Sequence, residues 1–321
     1  MKRTALFQIF LAVIALGLVF VPLARAQVHQ YIMGTGPTGG TYYPLGAAIS
    51  KVASQYAEGI NITVRSTGGI TENCRLMGTN KLEFGLLSGG IAKYAYEGKE
   101  MFSKPYSNIR GIGFIYLDVI QWIVMADSDI YSLEDMKGKR VGPGPAGSGG
   151  ESTAKLLFEA AGMSYKDFTA TMLPHAQAAD RFRDRQLDTL QMFVAVPQAT
   201  IIDLSTMHKI RLVEIKGDLR KRFQEKYPFY ISVTIPAGSY KGIDKDVETI
   251  GDVSSLYVRE DIPADDVYKV TKAIYEHAEE IGQIHPVGKQ IKLKDATKGI
   301  PIPFHEGAIR YFKEKGIEIK Q

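Results

Sequence analysis

Apolar and polar positions alternate along this chain in two rhythms, and the switches between them mark out the elements. Short apolar runs at Tyr31 to Met33, Ile60 to Arg65 and Phe84 to Leu87 read as strands. Between them lie helix-like stretches from Tyr43 to about Gln55, from Thr71 to about Gly78, and from Ile91 onward. Strands alternating with helices predict a parallel α/β sheet. The layout restarts near Asp127 with a turn, a short helix, a strand (Lys139 to Gly142), a glycine loop and another helix. A helix then feeds a strand in "DRFRDRQLDTLQMFVAVP", and "KIRLVEI" supplies one more strand. Toward the end, Val267, Val270, Ile274 and Ile281 fall at helical spacing behind Pro263 and Asp265, which mark a helix start.

Two longer strand-like stretches, Gln121 to Ala126 and Asp252 to Val258, bracket the middle of the chain. A chain that crosses between lobes at both places forms a hinged pair with a cleft. The expected organisation is therefore residues 27–125 with 253–321 as lobe 1 and residues 126–252 as lobe 2. The fold class is α/β and bilobed, two α/β lobes joined by hinge strands. Length agrees, because about 295 residues exceed the size at which one core stops growing.

The first 26 residues read differently. Lys2 and Arg3 precede an apolar stretch from Ala5 to Val21 that ends in Ala24-Arg25-Ala26, which is the pattern of a cleaved secretory signal. Export to the periplasm, with cleavage after Ala26, is the expectation. The single cysteine, Cys74, lies inside the domain, so neither a lipid anchor at the junction nor a disulfide is expected; it reads as a small buried hydrophobe.

Removing Lys2, Arg3 and Arg25 takes the formal charge from +4 to +1. Basic clusters at Arg181 to Arg185 and Lys209 to Arg222 are interleaved with acids, so no basic stripe for nucleic acid exists. The six histidines have no ligand-like spacing with cysteine or each other, and no metal or cofactor is expected.

Chemistry concentrates in the glycine loops. Gly34-x-Gly36-x-x-Gly39 matches the dinucleotide fingerprint, but the next strand ends in Arg65-Ser66 rather than an acid, and an exported protein meets no dinucleotide pool. The second loop, "GPGPAGSGGES", mimics a P-loop yet places Gly150-Glu151 where Lys-Ser/Thr belongs. Ala146-x-Ser148-x-Gly150 also resembles a nucleophile elbow, which raises an exported serine hydrolase using Ser148 with His285 or His305 as base. Pro143-Gly144-Pro145 lengthens that loop where an elbow should turn sharply.

What remains is reversible binding of an anion at helix N-termini, where unpaired N–H groups and the helix dipole favour negative charge. Thr41, Tyr42, Ser66, Thr67, Asn73, Ser88 and Ser148 supply hydroxyl or amide groups at strand ends. "STGG" followed by Thr71-x-Asn73 makes a third helix start beside the two glycine loops. Three such starts converging on one cleft would hold a carboxylate without any arginine.

The motifs "GTGPTGGTYYPLG", "STGGITEN", "EFGLLSGG", "DSDIYSLEDMKGKRV", "GPAGSGGES", "IPAGSYKGID" and "PIPFHEGAIRYFKEKG" occur in this order from near Tyr31 almost to the C-terminus. In them the chain closely resembles the TAXI subfamily of solute receptors of TRAP (tripartite ATP-independent periplasmic) transporters. The resemblance implies a bilobed, type II periplasmic-binding-protein-like fold, monomeric and non-enzymatic, that closes on a small carboxylate or glutamate-like amino acid and delivers it to a TRAP-type membrane permease. Carried over by motif, the implied ligand contacts are Thr41, Tyr42, Ser66, Thr67, Asn73, Ser88, Ser148 and Gly149, with Val196 and Pro197 near the pocket wall. Leu87-Ser88-Gly89-Gly90 and "LQMFVAVPQAT" depart from the subfamily's usual residues toward apolar ones, which points to a less polar carboxylate. The same fold could serve an ATP-driven importer or a sensor kinase.

Overall fold

The computed structural model describes residues 28–319; the expected signal segment lies outside them. The chain opens with β1 (His29–Gly34), α1 (Tyr42–Tyr56), β2 (Ile60–Arg65), α2 (Ile70–Gly78), β3 (Phe84–Ser88) and α3 (Gly89–Glu97). β1 lies between β2 and β3 and runs parallel to both. α1 forms because Leu45, Ala48, Ile49, Val52 and Ala53 recur on one face, and all five are buried. α3 stops at Gly98, whose φ of +69° is the left-handed turn that glycine adopts without a Cβ penalty.

β4 (Ile109–Met125) then runs for 17 residues. After it come β5 (Arg140–Gly142), α4 (Gly149–Ala160), β6 (Thr169–Ala170), α5 (His175–Arg183), β7 (Thr189–Val194), α6 (Ala199–Met207), β8 (Ile210–Val213), α7 (Gly217–Lys226) and β9 (Ile231–Ile235). β10 (Val247–Arg259) returns, followed by α8 (Ala264–Glu276), α9 (Ala278–Ile284) and α10 (Glu306–Glu314).

The sheet order is β2-β1-β3-β10-β4-β7-β5-β6, with β8 also on β4 and β9 also on β10. The expected parallel sheet is thus mixed. β4 and β10 run antiparallel to each other and to every neighbour, whereas β1–β3 and β5–β7 keep parallel pairing. Each long strand joins two regions. β4 pairs with β10 from Ile109 to Val119 and with β7 from Val119 to Val124. β10 pairs with β9 from Val247 to Gly251 and with β3 from Ser254 to Val258. The stretch Gln121 to Ala126 is therefore the far end of a strand that starts twelve residues earlier.

One apolar cluster is built only from residues between Val119 and Val247, among them Ile123, Phe182, Leu190, Met192, Ile201 and Tyr240. Trp122 lies in the larger cluster, edge-on to Phe158, and is core rather than cleft wall. Cys74 is fully buried, and burial pushes its thiol well above the usual range. Among the described residues no helix is long and apolar enough to cross a membrane, and no three His, Cys, Asp or Glu side chains stand together as a metal site.

Candidate functional site

Three strand-to-helix loops meet at one place. A cavity of about 40 Å³ is lined by Gly36, Pro37 and Gly40–Tyr42 before α1, by Gly68–Ile70 before α2, and by Ser148–Gly150 at the start of α4. Tyr116 of β4, His175 of α5, and Phe193 and Val194 of β7 complete the wall. The lining contains no lysine, arginine, aspartate or glutamate. A larger groove of about 470 Å³ beside β8 has no helix starts and mixes Arg211 and Lys245 with Glu214, Asp244 and Asp246.

The loops are close because glycines let them be. Gly69 sits at φ +109°, a conformation strained for any side chain, and it packs on Ser148. A Cβ on Gly149 would overlap the Ile70 side chain. Thr71 Oγ1 and Ser152 Oγ lie 3.1 Å apart, tying α2 to α4. Gln198 Nε2 donates to Gly39 O at 3.0 Å, and Ala195 N donates to Thr41 Oγ1 at 3.2 Å, tying the β7–α6 connection to the first loop.

The residues singled out in the sequence divide into three groups. Thr41, Tyr42, Ser148 and Gly149 line the cavity. Ser148 Oγ accepts from Glu151 N at 3.1 Å and so caps α4, which leaves its hydrogen free to donate inward. Ser66, Thr67 and Asn73 hold the loops instead: Ser66 Oγ donates to Gly36 O and Thr67 Oγ1 to Thr35 O. Asn73, wholly buried, donates to both Thr35 O (2.7 Å) and Leu86 O (3.1 Å). Val196 and Pro197 lie past the end of β7, outside the lining; Phe193 and Val194, still on the strand, form the wall in their place.

Ser88 is buried at the β3–α3 junction, where an internal carboxylate already does what a bound anion would do. Asp252 of β10 accepts from Gly90 N at 2.9 Å, at the start of α3. Glu72 likewise takes the Gly68 N–H at 2.6 Å before α2. At the start of α4 no side-chain carboxylate among the described residues bonds the Gly149 or Gly150 N–H.

Behind the cavity, Tyr42 Oη donates to Asp118 Oδ2 at 3.0 Å and accepts from Ser254 Oγ at 2.5 Å. Tyr116 Oη donates to Asp118 Oδ1 at 2.6 Å, and the two rings meet edge-on at 6.0 Å. Burial raises both phenols well above the usual tyrosine range. His175 is pulled down to about 4 by burial, so it faces the cavity as a neutral imidazole.

A hydrolase would need a histidine on Ser148. His305 instead caps α10, its Nδ1 accepting from Gly307 N, and neither His285 nor His305 lines the cavity. No local pattern in the sequence marks Tyr116 or His175, which reach the site from elements remote in the chain; Phe193 and Val194 belong to the "LQMFVAVPQAT" stretch expected at the pocket, just before Val196 and Pro197.

Residues 33–316 match the model of the NMT1-like family. The chain belongs to the NMT1-like family. This family member is also similar to solved structures of low identity that share its fold. A Bordetella bronchiseptica RB50 protein matches with TM-score 0.56 and 14% identity over 91% of this chain and 99% of its own. The periplasmic binding protein BugD matches with TM-score 0.52 and 14% identity over the same shares, 91% and 99%. A protein described as a putative L-cystine ABC transporter from Listeria monocytogenes gives TM-score 0.51 and 14% identity over 85% and 99%. The NMT1-like chain thus has the bilobed α/β fold of periplasmic binding proteins.

Proposed function

We propose that this NMT1-like chain is a periplasmic receptor that captures a small carboxylate and hands it to a TRAP-type permease without changing it chemically. The observation that carries the reading is the meeting of the α1, α2 and α4 starts at one cavity that holds no fixed cation. Backbone N–H groups and the Ser148 hydroxyl can bind a carboxylate there, while Phe193, Val194 and Ile70 favour an apolar remainder. Micromolar affinity needs about 8 kcal/mol, within reach of a few charge-assisted hydrogen bonds in a site that excludes water.

In this reading residues 27–125 with 253–321 form one lobe and 126–252 the other, and β4 and β10 are the hinge. Thr41, Tyr42, Ser148 and Gly149 touch the ligand directly; Ser66, Thr67, Asn73 and Ser88 shape the loops that do. Thermal shift and calorimetry against a panel of small carboxylates and amino acids test it. A binder at a hundred times its Kd stabilises the fold by about 2.7 kcal/mol. Absence of binding by every anion, together with labelling of Ser148 by a fluorophosphonate, would reject the receptor in favour of a hydrolase.

An ATP-driven importer is the second reading, since the Listeria monocytogenes protein of the same fold is described as a putative L-cystine ABC transporter. Transport assays with the permease encoded nearest the receptor gene, run with and without ATP, distinguish the two.

A further inference from the structure

Asp118 of β4 stands directly opposite Asp252 of β10 in the antiparallel ladder, so both side chains project to the same face. They are 1% and 2% exposed. Asp252 is satisfied by backbone donors, Gly90 N and Val253 N. Asp118 bonds the phenols of Tyr42 from α1 and Tyr116 from its own strand, with the Ser254 hydroxyl close beside it. The other groups facing it are Ser254 and Asp252 from β10; around Asp252 stand the phenols of Tyr94, Tyr230 and Tyr257, and across the cavity stands neutral His175. Among the described residues no lysine or arginine pairs with either carboxyl. Burial pushes both up to about 7, and the charge of Asp252 adds to the rise at Asp118.

Both tyrosines whose phenols bond Asp118 are also lining residues of the cavity in front of them. While Asp118 is ionised, their hydrogens point at its oxygens and away from the cavity, and an arriving anion meets phenol lone pairs with a carboxylate behind them. A protonated carboxyl is itself a donor. Tyr42 Oη already accepts from Ser254 and stands farther off, 3.0 Å against 2.6 Å, so the new Asp118 O–H donates to the nearer Tyr116 oxygen, which also faces the Thr41 hydroxyl. The Tyr116 O–H is then released to turn toward the cavity. The proton comes from solvent, and no bond between heavy atoms forms or breaks.

We propose that Asp118 is a proton site coupled to the cavity: the protein takes up a proton there when it binds an anion, and Tyr116 relays it to the ligand as a hydrogen-bond donor. This rests on the anion-receptor reading. The test is calorimetry with acetate, propionate, pyruvate and 2-oxoglutarate at pH 7.5 in buffers of different ionisation heat, and Kd measured from pH 6 to 9. For whichever probe binds, the expected result is uptake of between about 0.5 and 1 proton per anion, with affinity falling toward tenfold per pH unit above pH 8. Asp118→Asn, whose amide donates at every pH, should abolish the uptake and flatten the Kd profile. Tyr116→Phe, which removes the relay, should weaken binding at pH 6 about tenfold and flatten the pH slope. His175→Gln should retain the uptake. Binding with no proton exchanged overturns the inference and leaves the receptor reading standing, as does uptake that survives Asp118→Asn or vanishes with His175→Gln. Failure of all four probes to bind at any pH overturns both.

Discussion

Two residues at the cavity can be tested singly, and each separates a binding role from a folding role. Gly149 has no room for a side chain beside Ile70, yet it begins a helix, where valine has a somewhat higher propensity than glycine. Gly149→Val should therefore leave the melting temperature within a few degrees and lower ligand affinity at least tenfold, about 1.4 kcal/mol, by wedging the α4 start off the α2 start. Retained affinity in calorimetry would mean that the contact is not needed for binding. His175 tests burial. The folded chain holds its imidazole neutral down to about 4, whereas the unfolded chain protonates near 6.5. Its contribution is thus present above pH 6.5 and is lost as pH falls, by on the order of 2 kcal/mol at pH 5. In urea titrations His175→Phe should lose less stability than wild type between pH 7 and pH 5. Parallel losses would show that His175 is not the group responsible.

At the scale of elements, what the sequence revealed was local and what it hid was not. β2 was legible from Ile60 to Arg65, and α8 from Val267, Val270 and Ile274, because burial on one face imposes a period within a single segment. The first half of β4 was hidden by Gly111 and Gly113, which read as a break in a strand. They are there because Ile300 and the Tyr275 ring press on the backbone at those points. β9 was hidden in a stretch rich in Pro, Gly and Tyr, and the antiparallel direction of β4 and β10 depends on connections no local pattern encodes. The site divides in the same way. Thr41, Tyr42, Ser148 and Gly149 follow from strand, glycine loop and helix, whereas Tyr116 and His175 arrive from afar. Asn73 was legible as a polar group at a helix start, but its duty depends on the carbonyls of Thr35, just past β1, and of Leu86 in β3. Asn73→Ala leaves both without that donor and should cost about 2–4 kcal/mol of stability. Its effect on affinity, measured well below the melting temperature, should be less than threefold; a loss as large as that of Gly149→Val would make Asn73 a ligand contact.

For the whole molecule, the small cavity defines the state. A volume of about 40 Å³ accommodates a few waters or a ligand of a few atoms, and contacts tie the loops around it from both sides. Gln198 and Thr200 reach Gly39 O, Thr71 meets Ser152, and Thr41 accepts from Ala195 N. In the receptor reading such an arrangement is the closed form, and these loops separate to admit a ligand. In that reading the separation is a hinge motion about β4 and β10, the strands that join the β1–β3 region to the β7–β9 region. A ligand shifts the balance toward closure only through contacts it makes with both sides. The latch bonds act on the same equilibrium without touching the ligand. Removing one by Gln198→Ala weakens closure by about 1 kcal/mol, the net worth of an ordinary hydrogen bond. When the open form dominates in the free protein, that appears as a roughly fivefold rise in Kd. Solution scattering supplies the independent readout: saturating ligand should reduce the radius of gyration of wild type, and Gln198→Ala should need correspondingly more ligand to reach the same compact value. Identical scattering with and without ligand would mean that the lobes do not move. Gln198 would then be a fixed structural contact rather than part of a latch.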